Sequence, residues 1–182
     1  MEQHMRNNVK IVEMTLENIS DYDDKNQTFE VIGRLIPTYR NDCWSFQEEI
    51  YEKSFESKYQ EENGLEDYIG NEDSIAFLYY LGEECLGQIT LSKSVTQYAS
   101  IDRLIISKSH RGKGIGTALL NRAREWALEK EMKGFTLETQ DTNLLACRFY
   151  SKNGFSIGSV DNMLYANSKY FKEKAVFWYL KF

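Results

Sequence analysis

From Ser107 onward the chain reads Ser-Lys-Ser-His-Arg111-Gly112-Lys113-Gly114-Ile115-Gly116, and there a β-like run gives way to a glycine-punctuated turn and then to a strongly helical segment. Ile115, Ala118, Leu119, Ala123, Trp126 and Ala127 recur at intervals of three and four, while Asn121, Arg124, Glu125 and Glu129 fall on the other side. This predicts an amphipathic helix from about Gly114 to Met132, with one face built for burial. The turn before it joins two properties of an anion site. Its glycines let the main chain come close, and the helix start points free amides outward. Lys113 adds a mobile positive charge, Arg111 a planar guanidinium and Thr117 a hydroxyl. The spacing is neither G-x-G-x-x-G nor a Walker A loop; it reads R-x-x-G-x-G, with Gly112 as an additional glycine.

Around this turn the pattern alternates between periods. Val9 to Met14 reads as a first half-buried strand, and Thr15 to Asn18 offers a helix start. Asp21 to Glu30 is polar. The single proline, Pro37, lies in an aromatic stretch ending at Trp44 and Phe46, read as loop plus short helices, and Glu48 to Glu62 is read as an amphipathic helix. Ser74 to Tyr80 and Cys85 to Ser92 form a predicted hairpin, followed by Ala99 to Ile106, in which Ile101, Arg103 and Ile105 are expected to face one way and Asp102, Leu104 and Ile106 the other. A strand at Phe135–Thr139, a short helix at Asn143–Asn153 closed by Gly154, a strand from Phe155 and a last strand at Ala175–Lys181 complete the order. The fold class is therefore α+β, a mixed α/β sheet.

With 182 residues and 42% hydrophobic content, the chain suits one domain. Its net charge of -6 lacks the basic field of a nucleic-acid binder and permits a cationic partner. Cys43, Cys85 and Cys147 have no metal-binding spacing and read as reduced thiols; no metal site is expected. Without a signal-peptide core or a long apolar run, the expected location is cytoplasmic, and a homodimer paired through sheet edges is one arrangement open to it.

Arg111-x-x-Gly114-x-Gly116, followed by Asn143-x-x-Ala146-x-x-Phe149-Tyr150-x-x-x-Gly154-Phe155, resembles the paired signatures of the GNAT N-acetyltransferases. The resemblance covers most of the chain from Ser74. Asp102 to Gly116, Leu137-Glu138, Asn143, Phe155, Gly158 and Asp161-x-x-Leu164-Tyr165 are similar to the streptothricin acetyltransferases, which acetylate the β-lysine moiety of that antibiotic. This implies a central, mostly antiparallel seven-stranded sheet flanked by about four helices, splayed open to admit acetyl-coenzyme A. It divides the single domain into an acceptor side over about 1–72 and a coenzyme core over about 73–182. It further implies that the main chain of Leu104, Ile105 and Ile106 pairs with the pantetheine arm. The amides of Arg111, Gly112, Lys113, Gly114, Ile115, Gly116 and Thr117 would hold the pyrophosphate, with Asn143 and Phe149 near the arm.

The acceptor is then a small cationic amine. An alkyl ammonium has a pKa near 10.4, so roughly one molecule in 2,500 is nucleophilic at pH 7 and a base is required. Glu138 and Asp102 are the candidate bases or amine anchors, and a β-bulge could change which face either occupies. Tyr150 matches the family's general acid, and a packed aromatic is its bland alternative. Cys147 has no adjacent histidine to activate it, which favours direct transfer in a ternary complex. Tyr39, Trp44, Asp161 and Tyr165 are candidate walls of the acceptor pocket. A polyamine, an aminoglycoside, or non-catalytic binding of an acyl-coenzyme A are the alternatives.

Overall fold

The computed structural model describes residues 8–22, 28–58 and 64–182. Nine strands run β1 Val9–Glu13, β2 Thr28–Arg40, β3 Cys43–Lys58, β4 Ser74–Leu81, β5 Glu84–Lys93, β6 Ala99–Ile106, β7 Gly134–Gln140, β8 Ser156–Asp161 and β9 Ala175–Lys181. Two α-helices, α1 Ile115–Glu129 and α2 Leu144–Lys152, and short 3-10 turns complete the described residues, fewer helices than the four expected. The seven-stranded, mostly antiparallel sheet is present, and β2 with β3 forms a separate two-stranded ribbon. The backbone divides into two compact units, Met1–Gln27 with Gln60–Gly134, and Thr28–Tyr59 with Phe135–Phe182.

In the first unit β1, β4, β5 and β6 lie side by side in that order, each antiparallel to its neighbour. Thr90 pairs with Arg103 but Leu91 pairs with Ile101, so Asp102 is an extra, bulged residue. The bulge overturns the expected alternation. By register, Ala99, Ile101, Leu104 and Ile106 share one face with Gly87, Ile89 and Leu91, while Ser100, Arg103 and Ile105 share the other with Gln88, Thr90 and Ser92. Helix α1 covers the first face, burying Ile115, Leu119, Leu120, Ala123, Trp126 and Ala127 at helical spacing. Gly87 makes this close approach possible. A Cβ there would stand 2.8 Å from Ile106 Cδ1 and 2.9 Å from Ile115 Cγ2. The opposite face carries the buried cluster Met14, Tyr22, Ala76, Leu78 and Tyr80. Thr15 to Asn18 forms a turn, with Asn18 Oδ1 accepting from the Thr15 amide at 2.7 Å, and only a 3-10 turn at Ile19–Asp21 follows it.

The second unit corrects the reading of residues 28–58. Where loop, short helices and an amphipathic helix were expected, a long hairpin forms, with Arg40 opposite Cys43 and a two-residue turn at Asn41 and Asp42, whose φ values are 51° and 59°. Such positive φ at both positions matches the right-handed twist of a hairpin, and Asn and Asp tolerate it. Residues 59–62 of the expected helix lie outside the described residues. Phe29, Val31 and Leu35 are buried on alternate positions of β2, whereas Ile50 and Phe55 of β3 remain more than half exposed. Tertiary pairing with β2 overrides the helical propensity of the Glu and Lys residues of β3. Between the pairs Val31–Phe55 and Gly33–Ile50, the single residue Ile32 faces residues 51–54, a wide bulge that carries Tyr51.

Strands β7, β9 and β8 follow in that order, β8 antiparallel to β9, over a core of Phe135, Leu137, Phe155 and Trp178. The Trp178 indole donates to Thr139 Oγ1 at 3.0 Å. Asp141, just beyond β7, is wholly buried and is gripped by Arg34 Nε at 3.0 Å and Nη2 at 2.5 Å and by the Lys174 amide at 3.0 Å. Its own carbonyl accepts from the Leu35 amide at 2.8 Å, so one residue ties β2, the end of β7 and the start of β9 together.

Candidate functional site

In the first unit the main chain leaves β6 at Ile106, and Arg111 Nε donates back to the Ile106 carbonyl at 3.1 Å. Gly112 and Gly114 adopt φ values of 76° and 86°, and Gly114 caps α1 without any side-chain cap. The first helical bond runs from the Ala118 amide to the Gly114 carbonyl at 3.0 Å, so the Ile115 and Gly116 amides precede the intrahelical ladder. A Cβ built at Gly112 or Gly114 would meet nothing within 4 Å. This is an open, glycine-lined cradle at the positive end of a helix dipole, and it fits a pyrophosphate. Lys113 and Thr117 are exposed beside it. Ile105 is buried away from α1, while Leu104 and Ile106 are half-buried on the helix side. Gly114→Val is expected to weaken coenzyme binding about tenfold, because a β-branched residue at this φ costs about 1–2 kcal/mol and reshapes the cradle. Calorimetric titration with coenzyme A measures it.

Asp102, on its bulge, is exposed and accepts from Ser92 Oγ at 3.0 Å and from the Tyr68 hydroxyl at 3.1 Å. It therefore sits on the face away from α1, tied to the 3-10 turn Leu65–Tyr68.

The second unit brings together two residues that the sequence singled out for different reasons. Tyr165, in the turn-rich segment between β8 and β9, donates its hydroxyl to Glu138 Oε1 at 2.5 Å. Burial pushes the Glu138 carboxyl up to about 7; the Tyr165 hydrogen bond opposes that rise and the nearby Glu173 adds to it. The Tyr165 phenol is itself pushed upward, by burial first and then by its bond to Glu138. Removing the phenol in Tyr165→Phe is expected to raise the Glu138 pKa further, because the bond favours the ionised form. Carbon-13 NMR titration of the carboxyl reads the shift directly.

Tyr150 is buried on α2, between Phe149 at 5.2 Å and Phe155 at 5.3 Å between ring centroids. Asn143 caps α2, its Oδ1 accepting from the Ala146 amide at 3.3 Å. That cap is a local reason for asparagine at the head of the motif. Cys147 is wholly buried, burial pushes its thiol up to about 12, and a neutral thiol is a poor nucleophile. Asp161 closes β8 by accepting the Met163 and Leu164 amides at 2.6 and 3.1 Å, a turn that shapes the segment carrying Tyr165. Tyr39 and Trp44 face each other at 5.0 Å near the β2–β3 turn, remote in sequence from Tyr165 and not joined to it by any described contact.

Sequence reasoning missed two neighbours of the Glu138–Tyr165 pair and two groups beside those neighbours. Glu173 raises both pKa values and Asp141 also raises that of Tyr165, while Arg34 and Tyr51 lie within electrostatic range of Asp141 and Glu173. The Asp141 spacing, three residues after Glu138, was the one visible signal. The others come from segments with no motif.

The profile of the acetyltransferase (GNAT) family matches residues 40–155. Streptothricin acetyltransferase A of Bacillus subtilis (strain 168) is 43% identical over 94% of this chain and 99% of its own length. A streptothricin acetyltransferase of Escherichia coli is 30% identical over 90% of this chain and 83% of its own. A Bacillus anthracis (strain Ames) protein described as a streptothricin acetyltransferase, crystallised in complex with acetyl coenzyme A, superposes with a TM-score of 0.90 at 32% identity, covering 96% of this chain and 99% of that one. The glycine cradle, the two ordered motifs and this relatedness along nearly the whole length agree: the chain is an acetyltransferase and belongs to the GNAT family.

Proposed function

We propose that this enzyme transfers the acetyl group of acetyl-coenzyme A to a primary amine of streptothricin, on its β-lysine moiety, and so confers resistance to the antibiotic. The observation that carries the reading is the Glu138–Tyr165 pair, a half-buried carboxyl whose pKa is pushed up to about 7, in the segment similar to streptothricin acetyltransferases. A base with that pKa is half-ionised near neutrality, which suits it to take a proton from an ammonium and release it again. The turn at Arg111 to Gly116, with Thr117, holds the pyrophosphate, and the main chain of Leu104 to Ile106 pairs with the pantetheine arm. Asn143 and Phe149 lie beside that arm. A strand amide near Ile106 stabilises the tetrahedral oxyanion.

In the reaction the neutral amine attacks the thioester carbonyl, the carbon–sulfur bond breaks, and the Tyr150 hydroxyl protonates the departing thiolate. Glu138 accepts the amine proton. Asp102, already accepting from two hydroxyls, is the second candidate for the base or amine anchor. Cys147 forms no acyl intermediate, in keeping with its raised pKa. Tyr39, Trp44, Asp161 and Tyr165 are assigned to the acceptor side. Acetylation of a polyamine or an aminoglycoside is the alternative within the same chemistry, and an acyl-coenzyme A-binding module the alternative outside it.

Mass spectrometry of streptothricin, a polyamine and an aminoglycoside incubated with enzyme and acetyl-coenzyme A separates these. The reading requires one added acetyl group on streptothricin, located on β-lysine. Modification of another amine with streptothricin unchanged would overturn the acceptor assignment.

A further inference from the structure

Residues 162–174 leave the sheet between Asp161 at the end of β8 and Ala175 at the start of β9, which face each other across the two strands. Tyr165 lies in this segment, and little apolar burial holds it there. Met163 and Leu164, just before it, are 73% and 53% exposed, and Phe171 is 59% exposed. The backbone is a succession of turns, with the amides of Ala166, Ser168, Phe171 and Glu173 donating to the carbonyls of Met163, Tyr165, Ser168 and Tyr170. A segment built this way is ordered by polar contacts and opens more readily than a packed core.

Three side chains supply further contacts of that kind. Asp161 Oδ1 accepts two amides, from Met163 at 2.6 Å and from Leu164 at 3.1 Å, which fixes the chain up to the residue before Tyr165. Ser168 Oγ donates to the Tyr165 carbonyl at 2.9 Å and accepts the Tyr170 amide at 3.0 Å. Tyr170 Oη donates to the Lys58 carbonyl at 2.9 Å. Tyr165 is thus held on both flanks while its hydroxyl meets Glu138 Oε1 at 2.5 Å.

We infer that Asp161 is a positioning residue for the reaction: its turn seats the Tyr165 hydroxyl on Glu138 and thereby governs the ionisation of that carboxyl. The inference rests on the assignment of Glu138 to the acceptor amine. Among the described residues, the groups that interact electrostatically with Glu138 are Tyr165, Glu173 before β9 and the Cys147 thiol on α2. Asp161 acts through the turn and not through its own charge. The Tyr165 bond favours the ionised form and Glu173 opposes it, so loosening Tyr165 moves the titration upward.

Carbon-13 NMR titration of the Glu138 carboxyl in the full-length protein tests it, in the wild type, Asp161→Ala, Asp161→Asn, Tyr165→Phe and Asp161→Ala combined with Tyr165→Phe. Asp161→Ala is expected to raise the midpoint by about one pH unit, the scale of one hydrogen bond to a carboxylate. Asp161→Asn keeps an acceptor oxygen that suits such a turn and should titrate as the wild type does. The double variant should match Tyr165→Phe, because no phenol is left to position. Where Glu138 is the base, the pH limb of kcat moves in the same order. An unmoved midpoint in Asp161→Ala, an Asp161→Asn midpoint shifted as far as that of Asp161→Ala, or additive shifts in the double variant would each overturn the inference. If Asp161→Ala does not fold, Ser168→Ala frees the other flank of Tyr165, with an upward shift expected and an unmoved midpoint overturning the inference. The titration involves no acetyl transfer, so failure to acetylate any amine bears on the proposed reaction and not on this positioning role.

Discussion

Glu138→Gln is expected to lower kcat by about a hundred- to ten-thousand-fold, the range for removal of a positioned base. The wild-type rate should rise with pH as Glu138 ionises through about 7, and the variant should lack that limb. Stability should move the other way. The folded pKa of about 7 lies above the ordinary 4.5, so the wild type gains stability from the neutral carboxyl below about 4.5 and loses it as pH rises through 7. A shift of this size corresponds to something on the order of 3 kcal/mol. Above pH 7 the amide variant therefore melts higher while turning over more slowly, and below about pH 4.5 the difference in melting vanishes. A residue that only supported the fold would lose both together. Melting curves and steady-state rates over one pH series give both signs.

The second large effect concerns Arg34. Its guanidinium pKa is raised: burial alone would lower it, and the hydrogen bond and charge of Asp141 more than offset that. Arg34→Met removes the fork while leaving the Asp141 carboxylate, whose side chain is 1% exposed, without its cation. Breaking a buried pair from one side costs about 3–5 kcal/mol, whereas replacing both partners can be nearly neutral. Arg34→Met should accordingly show a much lower urea midpoint, and Arg34→Met combined with Asp141→Asn should recover most of it. If the double variant were no more stable than the single one, the cost would lie in lost Arg34 packing and not in a stranded charge.

The parts of this molecule that were legible from sequence are those where local chemistry and tertiary environment agree. The cradle at Arg111 to Gly116 could be read because positive φ at Gly112 and Gly114 demands glycine, and because α1 shows its buried face at strict helical spacing. Asn143 and Gly154 bracket α2 for equally local reasons. The β2–β3 ribbon was not legible. Phe29, Val31 and Leu35 do alternate, but β3 exposes nearly all of its side chains, so its Glu and Lys residues mimic a solvated helix. The faces of β6 were misassigned for a different reason. Nothing in Ile101-Asp102-Arg103 marks a bulge, which exists only because of how β5 pairs. The surroundings of Glu138 and Asp141 stayed hidden on similar grounds: Tyr51 lies in a bulge and Glu173 follows a run of turns, and neither leaves a period in the sequence.

Thiol release from acetyl-coenzyme A, started by adding streptothricin and followed in the wild type and in Glu138→Gln across neutral pH, tests the central claim most directly. The account predicts saturable, streptothricin-dependent release in the wild type, with a rate that climbs through about pH 7, and little release in the variant. No streptothricin-dependent release at any pH, or equal release in both proteins, would contradict it.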